Sequence, residues 1–100
     1  MKLELNDVRT ALISLPNWRV EITPYENIVR EWQGQSFRQV FELMTEIATV
    51  AEEMNHHPDW YNSFRRLTIR LTTHDVGGLS NLDLEMAQKI ERLIERKEAQ

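Results

Sequence analysis

The stretch SFRQVFELMTEIATVAEEMNHHP, residues Ser36 to Pro58, decides the fold. Ser36 can accept the first free N–H groups of a helix, and Gln39 stands three residues later in the capping-box position. Phe37, Val40, Phe41, Met44, Ile47, Ala48, Ala51 and Met54 then recur at three- and four-residue spacing. That spacing puts them on one apolar stripe, which needs a second layer to cover it. Pro58 pushes His57 towards extended geometry, so the helix is expected to end near Met54 to His56.

The flanking residues supply the second layer. Asn6 is the expected cap of a first helix carrying Val8, Leu12 and Leu15, which Pro16 stops. From Trp18 the period changes to two: Trp18, Val20 and Ile22 alternate with Arg19 and Glu21, as in a strand. Pro24-Tyr25-Glu26-Asn27 reads as a turn into a second strand, Ile28 to Gln33, with Ile28, Arg30 and Trp32 on one side. After the helix, Trp60 and Phe64 alternate with Tyr61 and Ser63. Leu67, Ile69 and Leu71 then alternate with Thr68, Arg70 and Thr72. Gly77-Gly78 marks a turn where positive φ costs little. Ser80 caps a last helix with Leu82, Met86, Ile90, Leu93 and Ile94 on its expected buried face. The order is α-β-β-α-β-β-α. This is an α+β chain, a four-stranded antiparallel sheet with helices packed on one face, read as one domain over residues 1–100.

Bulk composition narrows the function. Apolar residues make up 41% and charged residues 28%, a globular balance rather than a disordered one. The net charge of −4 gives no basic footprint for a phosphate backbone, so no nucleic-acid partner is expected. The absence of cysteine excludes disulfides, thiolate metal sites and thiol nucleophiles. No apolar run approaches the roughly 20 residues of a membrane span, and Met1 to Asp7 has no apolar core of a signal peptide. A cytoplasmic location and no membrane association are expected.

All three histidines fall within nineteen residues: His56 and His57 before the third strand, His74 after the fourth. If those strands join through a two-residue turn at Arg65-Arg66, Trp60 faces Leu71 and the extended ladder sets His57 opposite His74. Directly opposed Cβ atoms are roughly 5 Å apart. Glu52, four residues before His56, shares its face on a helix that reaches so far. Asp83 sits in the first turn of the last helix, where the macrodipole favours negative charge. Neighbouring imidazoles and carboxylates can hold one ring as a base and another as an acid, the division of labour that an elimination needs. Three histidines and a carboxylate can also ligate zinc. Against a metal, His56 and His57 are adjacent, and no spacing in the chain points two rings at one ion.

The segment Glu52-Glu53-Met54-Asn55-His56-His57-Pro58-Asp59-Trp60, followed by Thr73-His74-Asp75-Val76-Gly77-Gly78-Leu79-Ser80 and Asp83, closely resembles the signature of the pterin-4a-carbinolamine dehydratases. The resemblance runs over essentially the whole chain, including Leu15-Pro16-Asn17-Trp18 and the helix from Phe37. It implies release of water from 4a-hydroxytetrahydropterin to give quinonoid dihydropterin, in tetrahydrobiopterin recycling. It further implies His56 and His74 as the acid/base pair and His57 as an assisting pterin contact. Glu52 and Asp83 would orient the rings and Trp60 would line the pocket. It implies no cofactor, and a homodimer or homotetramer joined through sheet edges and helices. The chain departs from the pattern at Asn55 and Leu82, where some members carry an acid and an arginine, and at Gly34, where an aromatic is common. Animal members also resemble a dimerisation cofactor of a homeodomain transcription factor. The alternative reading is therefore a protein-interaction module, with the Leu82–Ile94 helix as its face.

Overall fold

A computed structural model describes all 100 residues and bears out the expected order of elements. Helix α1 spans Leu5–Ala11, followed by a 3-10 turn at Leu12–Ser14. Strands β1 (Trp18–Glu21) and β2 (Asn27–Gln33) precede α2 (Phe37–Met54). Strands β3 (Asp59–Ser63) and β4 (Arg66–Leu71) are followed by a 3-10 turn at His74–Val76 and by α3 (Asn81–Glu98). The sheet order is β1-β2-β4-β3 with every pair antiparallel, so β2 and β4 are central and β1 and β3 are the edges.

The strands alternate as their sequence requires. Ile28, Trp32, Leu67, Ile69 and Leu71 are buried beneath the helices, in one core that runs from Val8 to Ile94. On the other face charged side chains surround a buried Val29: Arg19 bridges Glu21 and Glu31, and Arg70 pairs with Glu21 at 3.1 Å. On the helix side, α3 is tied to the first hairpin by polar contacts. Glu91 accepts from Arg30 Nε at 3.0 Å and from Trp18 Nε1 at 2.8 Å, while Trp32 Nε1 donates to Glu98. Lys97, buried between the two long helices, reaches Glu46 at 2.6 Å.

Several boundaries and faces depart from the sequence reading, each for a local reason. Helix α1 begins one residue before Asn6, after Glu4, and no side chain caps it. The buried stripe of α2 is Val40, Leu43, Ile47 and Ala51. Phe37 and Phe41 are about half exposed and Ala48 is exposed, because the apolar residues of α2 cover two adjacent faces and the sheet occupies only one. Ser36 caps α2 as expected, but Gln39 returns its bond to the Gln35 N–H and not to Ser36. In α3, Met86, Ile90 and Ile94 are sealed against the sheet whereas Leu82 is exposed. The helix therefore offers no free apolar face of the kind the interaction-module reading needs.

The β3–β4 hairpin turns at Phe64-Arg65 rather than Arg65-Arg66. Phe64 has φ of 53°, is exposed and belongs to the turn, not to the strand. Trp60 consequently pairs with Ile69, two residues from the expected Leu71, and the ladder stops at Asp59. An even shift preserves the faces while moving every partner. At Gly34 the chain enters α2 so tightly that an added Cβ would lie 2.7 Å from Val40 Cγ2 and 3.2 Å from Trp32. Gly34→Ala is expected to lower stability by about 1–3 kcal/mol through overpacking, measured by urea unfolding. An unchanged midpoint would show that the corner has slack.

Candidate active site

The end of α2 sets the direction of two histidines. Asn55 adopts the left-handed conformation (φ 50°), which asparagine tolerates better than most residues. The His56 N–H bonds back to the Ala51 carbonyl, five residues earlier, closing the helix in a Schellman-type turn. The turn sends adjacent side chains to different surroundings. His56 goes inward and is buried; His57 goes outward and its side chain is 57% exposed.

His56 Nε2 lies 2.7 Å from Asp83 Oδ1, and the Asp83 side chain is fully sealed from solvent. The other carboxylate oxygen, Oδ2, accepts from Thr73 Oγ1 at 2.8 Å and from the Ser80 N–H at 2.9 Å. Since Thr73 gives its proton to Asp83, the 2.7 Å contact between Thr73 and Ser80 has the serine hydroxyl donating. Ser80 Oγ accepts in turn from the Leu82 N–H, completing the capping box of α3. A buried carboxylate is tolerable when its lone pairs are met by several donors, as here. The His56 ring uses only Nε2 in this network. Nδ1 makes no hydrogen bond within the protein and keeps contact with solvent.

Asp83 thus joins the α2–β3 junction, through His56, to the end of β4, through Thr73, the neighbour of His74. The three histidines are brought to one end of the sheet, but each has its own carboxylate. Glu52 pairs with His57 at 2.6 Å and not with His56, because the left-handed turn rotates His56 away from the helix face. His74 Nε2 lies 3.7 Å from Asp59 Oδ2, and its side chain is 73% exposed. The expected opposition of His57 and His74 is absent, since the register shift ends the ladder before either residue. Trp60 is half buried and packs against the edge of the core, beside its partner Ile69. A surface cleft of about 420 Å³ opens beside Thr73 and Ser80, with Leu3, Val76 and Leu82 in its walls. No three His, Asp or Glu side chains converge in a metal-binding arrangement.

Residues 1–93 match the family described as pterin 4 alpha carbinolamine dehydratase. The chain belongs to the pterin-4a-carbinolamine dehydratase family. A Synechococcus relative, provisionally named as such a dehydratase, is 46% identical over 80% of this chain and 83% of its own length. One from Burkholderia vietnamiensis, named likewise, is 39% identical over 92% of this chain and 89% of its own. Among solved structures, a Brucella melitensis protein described as a transcriptional coactivator/pterin dehydratase superposes with a TM-score of 0.87 at 31% identity. That likeness covers 93% of this chain and 98% of the other. Within the family signature the sequence reading named His56, His57, His74, Glu52, Trp60 and Asp83. It gives Ser80 only as a helix cap, and it gives Thr73, Asp59 and Tyr25 no role in the site. Thr73 and Ser80 bound one of the quoted segments, and the three-residue spacing from Ser80 to Asp83 is a capping-box signal that links the two; nothing local marks Tyr25.

The Asp83 network generates a stability prediction. Asp83→Ala leaves His56, Thr73 and the Ser80 N–H without their shared acceptor, an uncompensated break in a buried network worth about 3–5 kcal/mol. Thermal unfolding should show a clear fall in Tm. A variant as stable as the parent would mean that water or relaxation replaces the carboxylate.

Proposed function

We propose that residues 1–100 form one catalytic domain that acts in the cytoplasm as a 4a-hydroxytetrahydropterin dehydratase. The observation that carries the reading is the sealed Asp83 carboxylate. It binds His56 at 2.7 Å and Thr73 at 2.8 Å, tethering the His56-His57 segment to the His74 segment. Family membership supplies the substrate class.

Dehydration breaks the C4a–O and N5–H bonds and forms a C4a=N5 double bond. An acid must protonate the departing hydroxyl so that it leaves as water, and a base must take the N5 proton. The oxidation level of the whole is unchanged. In this reading His56 and His74 are the acid/base pair and His57 contacts the pterin. Asp83 orients His56 through Nε2, which leaves Nδ1 to meet substrate. Glu52 orients His57 in the same way, and Trp60 contributes an apolar wall. A general acid or base of this kind typically contributes 10²- to 10⁴-fold.

His74→Ala is therefore expected to slow dehydration by about a hundredfold or more with little change in Tm, since the side chain is exposed. His56→Ala should slow it comparably and also lower Tm, because Asp83 loses a buried donor. Stopped-flow assay on freshly generated carbinolamine reads both. Parental rates in the two variants would refute the assignment.

The domain is proposed to work as a homodimer or homotetramer. Phe37 and Phe41, with ring centroids 5.8 Å apart, stand exposed on α2 beside Met44 and Ala48. An apolar face of this kind, rimmed by charge, favours self-association. The Phe37→Ser/Phe41→Ser variant is expected to sediment as a smaller species at unchanged Tm. A parental sedimentation coefficient would exclude this face from the assembly. The alternative reading, an interaction module, expects its face on the Leu82–Ile94 helix; with Met86, Ile90 and Ile94 sealed, its face is instead that of Phe37 and Phe41, and the Brucella protein's description as a coactivator is what supports it.

A further inference from the structure

The β1–β2 connection carries one residue to the histidine region from far away in the chain. Tyr25 Oη donates to Asp59 Oδ2 at 2.8 Å, and His74 Nε2 lies 3.7 Å from the same oxygen. The Tyr25 and His74 rings are 5.7 Å apart at their centroids and tilted by 58°. A hairpin loop, the first residue of β3 and the first residue of a 3-10 turn therefore meet at one carboxylate oxygen.

We propose that Tyr25 and Asp59 are a positioning pair for His74, Asp59 by facing its Nε2 and Tyr25 by fixing that carboxylate and bounding the imidazole on one side. The proposal rests on His74 being a proton-transfer residue of the dehydration. An exposed imidazole samples several rotamers, whereas proton transfer needs its nitrogen within about 2.6–3.2 Å of the reacting group. At 3.7 Å the contact is too long for a hydrogen bond, so Asp59 steers the ring without tying up its nitrogen. The hydrogen bond to Asp59, then burial, hold the Tyr25 phenol above the usual tyrosine range. Glu21 acts in the same direction, and Arg70, which also faces the group, opposes them. A raised phenol pKa means that the donor is present through neutral pH and lost only as pH rises past that range.

The test compares Tyr25→Phe, Asp59→Asn, His74→Ala and the Asp59→Asn/His74→Ala double variant in the full chain. Asp59→Asn should lower kcat about tenfold and Tyr25→Phe a few-fold, with KM and Tm close to parental. In the His74→Ala background Asp59→Asn should cost nothing further, since no ring remains to be positioned. The nuclear Overhauser contact between the Tyr25 and His74 rings should weaken in Asp59→Asn. A persisting ring contact, or a parental kcat in Asp59→Asn, overturns the positioning role. So does an equal loss in the His74→Ala background. If the ring contact weakens while His74→Ala itself turns over at the parental rate, the failure lies with His74 as a proton-transfer group. In that case the pair is only a structural anchor.

Discussion

A carboxylate closed off from water must find its hydrogen-bond donors within the protein, and Asp83 finds three: an imidazole, a hydroxyl and a backbone N–H. Each comes from a different stretch of chain, so satisfying the charge fixes the geometry of all three. The helix end at Asn55, the end of β4 and the start of α3 cannot move independently without exposing an unmet lone pair. The polar end of the molecule is in this sense built around one side chain. The apolar core provides the bulk of the driving force but says little about which way a histidine points.

The surroundings of the three histidines follow from this anchoring together with strand alternation. His56 and Thr73 turn towards the helices and share Asp83. His57 and His74 stay accessible and meet Glu52 and Asp59. One ring is held inside by its bond to a sealed carboxylate, and two stand at the surface, open to solvent. Their carboxylate partners differ in burial as well: Asp83 is sealed, while Glu52 and Asp59 are largely exposed. A buried partner restricts its ring far more than a solvated one, which is why His56 is the ring whose position the fold itself fixes.

The long helices show how far patterning can be read. Helix α2 carries more apolar residues than one sheet face can cover. The choice of Val40, Leu43, Ile47 and Ala51 for the core leaves Phe37 and Phe41 outside. Period 3.6 identifies the helix but does not say which of two adjoining stripes faces inward when both are apolar. Leu82 misleads for a related reason: in the first turn of α3 it lies on the expected row, yet Ser80 and Asp83 orient that turn by their own hydrogen bonds.

Sequence alone determined the α+β order, the extent of each strand to within a residue or two, and the caps at Ser36 and Ser80. These are legible because periodicity and capping chemistry are local properties of the chain, and motif resemblance added the candidate set His56, His57, His74, Glu52, Trp60 and Asp83. Tertiary structure decided the pairings. The hairpin turned at Phe64 and moved the β3–β4 register by two residues. The left-handed Asn55 gave Glu52 to His57, and the folding-back of the β1–β2 loop brought Tyr25 to Asp59. Such partnerships depend on where separate segments come to rest in three dimensions, and no spacing along the chain encodes that distance.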